Sequence, residues 1–204
     1  MLKKTVYPKI EEKLNKIAAS LDQQGFSPTQ LTLAGLILNF LAGLFYATGH
    51  LFVGGMILVI ASLADLFDGP LARVSNRTSK FGAFLDSTVD RYSDFFIFGG
   101  LATLFARESQ GLLFVLTMGV ILGSSITSYA KARAENLIPH CNVGIFTRAE
   151  RIILLALATL IWPLLPFAMF VLFLGTNATA LRRIHYTHRM LQELEPKKSE
   201  AEKP

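Results

Sequence analysis

Four aspartates, Asp65, Asp68, Asp86 and Asp90, fall within 26 residues, and apolar stretches long enough to enter a membrane flank them on both sides. An ionised Asp costs about 2.5–3.5 kcal/mol at the centre of an inserted helix on insertion scales, so intramembrane acids usually mark a functional site. The spacing sharpens the constraint. Asp65, Asp68, Gly69 and Ala72 recur at i, i+3, i+4 and i+7, which is one helix face. Gly82, Asp86 and Asp90 recur every four residues, again one face. Two helices joined by the polar turn 75–80 would therefore point two carboxylates each into a common gap. Four converging carboxylates repel one another unless divalent cations lie between them. Gly69 and Ala72 leave room for a nucleotide diphosphate against the helix, and Arg73 suits a phosphate oxygen. Taken singly, the small residues serve close helix packing equally well, and Arg73 serves as an interfacial anchor. An ion or proton pathway, or a solvated loop with chance spacing, are the competing readings of the whole stretch.

Composition places this motif in a membrane protein. Of 204 residues 51% are hydrophobic and 17% charged, and mean hydropathy is +0.43, too apolar for an ordinary soluble domain. No cleavable signal is expected, since the opening Met-Leu-Lys-Lys leads into an amphipathic segment. The single cysteine, Cys141, excludes an internal disulfide, and its isolation argues against a Cys-based metal site. It lies in a loop and is expected to be open to thiol reagents. The net charge of +5 would suit nucleic acid, but the placement of the bases argues for a membrane and against a nucleic-acid partner.

Val6, Ile10, Leu14, Ile17 and Leu21 form an apolar stripe between lysines, the pattern of a helix lying on an anionic membrane surface. Gln24 to Pro28 ends it, with Ser27 as N-cap and Pro28 at the first position of the next helix. Spans are expected over 28–48, 51–73, 81–107 and 112–134, with a loop over 135–147. The apolar run 152–175 is divided at Trp162-Pro163-Leu-Leu-Pro166, because interior proline breaks a helix. The expected fold is an all-α polytopic membrane protein. It has an N-terminal amphipathic interfacial helix (1–24), a catalytic domain of six transmembrane helices (25–190), and a charged, disordered tail (191–204).

Charge placement favours six spans. With six, both termini share a side with the 73–80 turn and the 131–151 region, and that side carries 18 of the 20 Lys and Arg residues. Five spans would move the six C-terminal bases across, against the positive-inside tendency. The motif is then expected to open to the cytosol, from the inner membrane of a prokaryote.

Clustered carboxylates handling phosphates at a membrane suggest phosphoryl-group chemistry on a lipid. Two cations about 3.5–4 Å apart clamp a phosphate and stabilise attacking and leaving oxygens. Asp65, Asp68 and Asp86 are candidate ligands, and Asp90 a ligand that also takes a proton from an attacking hydroxyl. A second basic group follows. Lys131 and Arg133 end the fourth span, and Arg148 and Arg151 open the fifth. Cations at a helix N-terminus are unfavourable unless an anion joins them, so these four are read as a pocket for a phosphate dianion. Ordinary positive-inside anchoring is the alternative. A carrier should show deep carboxylates on its far side too, and 101–125 and 155–181 show none comparable.

The stretch D-x-x-D-G-x-x-A-R-x(8)-G-x(3)-D-x(3)-D, from Asp65 to Asp90, resembles the signature of the CDP-alcohol phosphatidyltransferases at every specified position. That resemblance implies transfer of a phosphatidyl group from a CDP-linked lipid to an alcohol, with release of CMP. It implies two divalent cations, Mg2+ or Mn2+, on Asp65, Asp68, Asp86 and Asp90, with Asp90 as general base. It implies a CDP-lipid pocket at Gly69, Ala72, Arg73, Thr78 and Gly82, and a homodimer. The 84–94 segment, Lys-Ala-Arg-Ala-Glu at 131–135 and Arg-Ala-Glu-Arg at 148–151 are similar to prokaryotic phosphatidylinositol phosphate synthases. Their acceptor is inositol 1-phosphate, held by Lys131, Arg133, Arg148 and Arg151 in this numbering. Thr147-Arg148-Ala149 departs from the commoner Pro-Glu-Arg pattern. Phosphatidylglycerophosphate synthesis, with another phosphorylated small alcohol as acceptor, is the runner-up.

Overall fold

The computed structural model describes the backbone of residues 2–201 and the side chains of residues 11–194. Seven α-helices, and no strand among the described residues, follow one another. They are α1 (Leu2–Gln23), α2 (Pro28–Ala47), α3 (Leu51–Val74), α4 (Lys80–Arg107), α5 (Gly111–Ala134), α6 (Arg148–Leu160) and α7 (Leu165–Ala201), with a 3-10 turn at Trp162–Leu164. The chain divides into two compact units, 1–100 and 101–204. Helices α2, α3, α5 and the 162–194 segment are long and apolar enough to cross a membrane. The protein is thus an all-α, multi-pass membrane protein. Helix α4 falls outside that set because Asp86, Asp90, Arg91 and Asp94 crowd its first fifteen residues, and α6 because it has only 13 residues.

In the first unit the local sequence starts and stops the helices as expected. Ser27 caps α2: its hydroxyl accepts from Gln30 N at 3.3 Å, and the Gln30 side chain accepts from Ser27 N at 2.8 Å. Asn76, at φ 53°, takes the left-handed conformation that Asn tolerates and ends α3. Ser79 then caps α4, its hydroxyl accepting from Gly82 N at 2.9 Å. Gly43 of α2 and Gly100 of α4 meet backbone to backbone, where a methyl group on either would overlap the other helix. In α1, Ala18 is buried, Leu14 and Leu21 are half-buried, and Ile17 is exposed. Val6 and Ile10 of the expected stripe lie outside the residues whose side chains are described.

In the second unit, α5 and α7 are joined by polar contacts suited to a bilayer interior. Thr127 Oγ1 donates to the Thr176 carbonyl at 3.0 Å, and Asn177 Nδ2 to the Gly119 carbonyl at 3.2 Å. Gly119 lies under the Phe173 ring. Gly100 and Gly119, small residues that would also suit a dimer interface, are thus both used within the chain.

Two expectations meet a different structure. Cys141 is fully buried, packed with Ala134, Ile138 and Tyr186, so it is closed to thiol reagents. The tail expected to be disordered continues α7 as helix through Ala201, in keeping with its Gln-, Glu- and Lys-rich composition. Residues 202–204 lie outside the described residues.

Candidate active site

Helices α3 and α4 bring the two halves of the motif together. Asp65, Asp68 and Asp86 each place a carboxylate oxygen within 4.8 Å of the other two, and all three are half-buried. Oxygen ligands lie about 2.0–2.6 Å from a divalent cation, so oxygens on one ion sit up to roughly twice that apart. The grouping fits. Without positive charge, three acids at this range repel one another, and the donor set of hard oxygens suits a divalent ion. Asp90, one turn beyond Asp86, lies outside this close group. Its side chain is 22% exposed, with Arg91 Nη1 4.0 Å from Oδ2. Arg91 also donates to the Ser87 carbonyl.

Beside the carboxylates is a cleft of about 360 Å3. Gly69, Ala72, Arg73, Thr78 and Gly82, the five residues expected to meet a CDP-lipid, all line it, together with Asp68 and Asp86. Pro70, inside α3, cannot donate to the Leu66 carbonyl, which leaves the helix one hydrogen bond short at the level of the acids. A Cβ added at Gly69 would meet nothing nearer than Arg73 Nη1, at 3.8 Å. The glycine therefore keeps a helix face open to the cleft.

One wall of the cleft was not read from the sequence. Ser27, Pro28, Thr29 and Thr32, from the start of α2, also line it. Thr32 Oγ1 lies 3.0 Å from Asp68 Oδ2 and 3.1 Å from the Pro28 carbonyl, donating its one proton between them. A signal was available: Ser27-Pro28 marks a helix N-terminus, and its unpaired N–H groups favour phosphate. Arg77, also on the cleft, reaches back to Asp22 of α1 at 3.8 Å.

The second basic group lies in the other unit. Lys131, in the last turn of α5, is 3.8 Å from Glu135, as the helical spacing predicts. Arg133 is exposed. Arg148 begins α6 and is half-buried; Arg151, one turn on, is only 2% exposed. Thr147 sits at the N-cap and donates to the Glu150 carboxylate. Arg183 of α7, one of the six C-terminal bases, is 7% exposed and close enough to Arg151 for the two to repel. It donates from Nε to the Val143 carbonyl at 3.0 Å and from Nη1 to the Thr127 carbonyl at 2.6 Å.

The sequence profile of the CDP-alcohol phosphatidyltransferases matches residues 26–181. The chain belongs to this family. It is therefore a membrane enzyme of phospholipid synthesis rather than a carrier. Among its relatives is the phosphatidylinositol phosphate synthase of Mycobacteroides abscessus, 35% identical over 84% of this chain and 81% of the relative. Another is the archaetidylinositol phosphate synthase of Pyrococcus horikoshii, 36% identical over 76% of this chain and 80% of the relative. The crystal structure of Mycobacterium tuberculosis phosphatidylinositol phosphate synthase with CDP-DAG bound superposes with a TM-score of 0.78. It is 30% identical, covering 85% of this chain and 92% of that one. The same protein in complex with manganese and citrate has a TM-score of 0.79, at 30% identity and over 85% and 88% of the two chains.

Proposed function

We propose that this transferase moves the phosphatidyl group of CDP-diacylglycerol to inositol 1-phosphate, forming phosphatidylinositol phosphate and CMP. The observation that carries the reading is the cleft, where all five candidate CDP-lipid residues face one another beside the grouped carboxylates. The named relatives, and the bound CDP-DAG of the mycobacterial structure, supply the substrate class.

Asp65, Asp68 and Asp86, joined by Asp90, would hold two divalent cations, Mg2+ or Mn2+. Bound there, the cations would supply positive charge to offset the negative charge that builds on the diphosphate oxygens. Thr32 fixes the Asp68 carboxylate through its hydrogen bond. Gly69, Ala72 and Gly82 admit the nucleotide, and Arg73 and Thr78 contact its phosphates. Asp90 accepts the proton of the acceptor hydroxyl. The hydroxyl oxygen then bonds to the lipid-bearing phosphorus, the bond from that phosphorus to the CMP oxygen breaks, and CMP leaves with the electron pair. Lys131, Arg133, Arg148 and Arg151 hold the acceptor phosphate, with Arg151 the most deeply buried of the four.

The reading includes six spans, with α4 as the third and α6 plus the 3-10 turn as the fifth. At 28 residues α4 is about 42 Å long, enough to cross a bilayer and still carry its acidic first half at one surface. It also includes a prokaryotic inner-membrane location, an active site open to the cytosol, α1 on the membrane surface, and a homodimer. The test is incorporation of radiolabelled acceptor into lipid by purified protein with CDP-diacylglycerol. Inositol 1-phosphate should be incorporated far faster than glycerol 3-phosphate. The reverse preference makes the enzyme a phosphatidylglycerophosphate synthase.

A further inference from the structure

A second cleft opens in the unit formed by residues 101–204, lined by Val143, Gly144, Leu181, Arg182, His185, Tyr186 and Arg189. None of the residues assigned above to CDP-lipid, metal or acceptor lines it. Arg182, His185 and Arg189 recur at i, i+3 and i+7, one face of α7. Arg183, next in the chain, turns instead into the unit's interior.

The facing wall is fixed in place. Val143 O accepts from Arg183 Nε, and Phe146 N donates to Thr179 Oγ1 at 3.2 Å. Gly144 holds φ at +128°, a conformation for glycine, and presses against the Thr179 side chain. Anchoring a helix at a membrane surface needs basic residues but no such concavity. Arg189 keeps an exposed contact to Glu193 through Nε, at 3.2 Å, which leaves the rest of its guanidinium for a ligand.

The surroundings define the ligand class. Leu181 and Ile184, at the same level of α7, are 66% and 55% exposed, so the apolar surface runs up to the basic face. Three nitrogen-bearing side chains thus border an exposed apolar surface, with Tyr186, an amphipathic ring, beside them, the pattern that suits an acyl-to-headgroup boundary. We propose that this cleft binds the phosphate headgroup of an anionic membrane phospholipid, with the acyl chains lying along Leu181 and Ile184. The lipid here is neither donor nor acceptor in the transfer reaction.

The full chain, in neutral detergent without CDP-lipid or acceptor, is titrated with phosphatidylglycerol or phosphatidylcholine and followed by native mass spectrometry. Wild type should retain one more phosphatidylglycerol than the triple variant Arg182→Gln/His185→Gln/Arg189→Gln, whose affinity should fall about tenfold or more. Phosphatidylcholine should bind both alike. Single substitutions should lose less, in the same direction. The variants should keep wild-type unfolding temperature and wild-type transfer activity in neutral mixed micelles. Equal phosphatidylglycerol retention by wild type and all variants overturns the proposal. So does displacement of the lipid by millimolar inorganic phosphate, which would make the cleft a site for free phosphate.

Discussion

Replacing Gly69 by alanine separates the site from the fold. Gly69 lines the cleft, and the nearest atom to an added Cβ is 3.8 Å away, an ordinary van der Waals contact. The helix gains up to about 1 kcal/mol from alanine in place of glycine. The position before Pro70 offsets part of that, because a Cβ there crowds the proline ring. Unfolding temperature should therefore stay level or rise slightly. The methyl group, however, enters the space where the nucleotide diphosphate is to lie. Overpacking of a fitted site costs about 1–3 kcal/mol, or roughly 5–150-fold in apparent affinity for CDP-lipid. Initial rates with CDP-diacylglycerol varied at saturating acceptor measure this as a raised KM, and thermal unfolding monitors the fold. A folded Gly69→Ala enzyme with wild-type KM for CDP-lipid would refute the placement of the donor on this face. Loss of folding would assign the glycine to helix packing instead.

Other substitutions divide the machinery further. Asp90→Asn should lower kcat about 10²–10⁴-fold, because the amide takes no proton and ligates metal poorly; near-normal kcat would remove Asp90 as base. Lys131→Ala and Arg148→Ala should each raise acceptor KM about 10–150-fold and leave the CDP-lipid KM little changed. Arg151→Ala should do the same and also lower stability, since its side chain is 2% exposed; if all three keep wild-type acceptor KM, the pocket is misplaced. Thr32→Val, which keeps the shape but removes the hydrogen bond to Asp68, should raise the metal concentration needed for half-maximal activity; an unchanged requirement would deny it that role. Because Cys141 is buried, topology is better probed by Asn142→Cys, at an exposed position. An impermeant thiol reagent should label it only after the cytosolic face is opened, and labelling from outside intact cells would overturn the six-span arrangement.

The helices were legible because their signals are local and repeated. Span 28–48 ends within one residue of α2, and 51–73 within one residue of α3, since Ser27-Pro28, Gly49-His50 and the 75–80 turn punctuate long apolar runs. Pro163 lies in the break between α6 and α7, and Pro166 in the first turn of α7, for the same reason. The grouping of Asp65 and Asp68 with Asp86 was legible through the helical spacing of the two motif halves, whereas Asp90, expected to join them, lies outside the close group. Thr32 was not: a lone hydroxyl 36 residues from Asp68 has no periodic partner, and only packing of α2 on α3 brings the two together. Arg183 was hidden among terminal bases, because nothing in Arg182-Arg183 tells which of the two turns inward. Cys141 gave no sign of burial, since its loop has no periodic pattern, and only the fold brings Ala134, Ile138 and Tyr186 around it.

Release of CMP by purified, metal-stripped protein tests the central claim most directly. With CDP-diacylglycerol present, release should require both inositol 1-phosphate and added Mg2+ or Mn2+, and an equal amount of phosphatidylinositol phosphate should form. Full turnover in excess chelator would contradict the account, as would CMP release that ignores the acceptor.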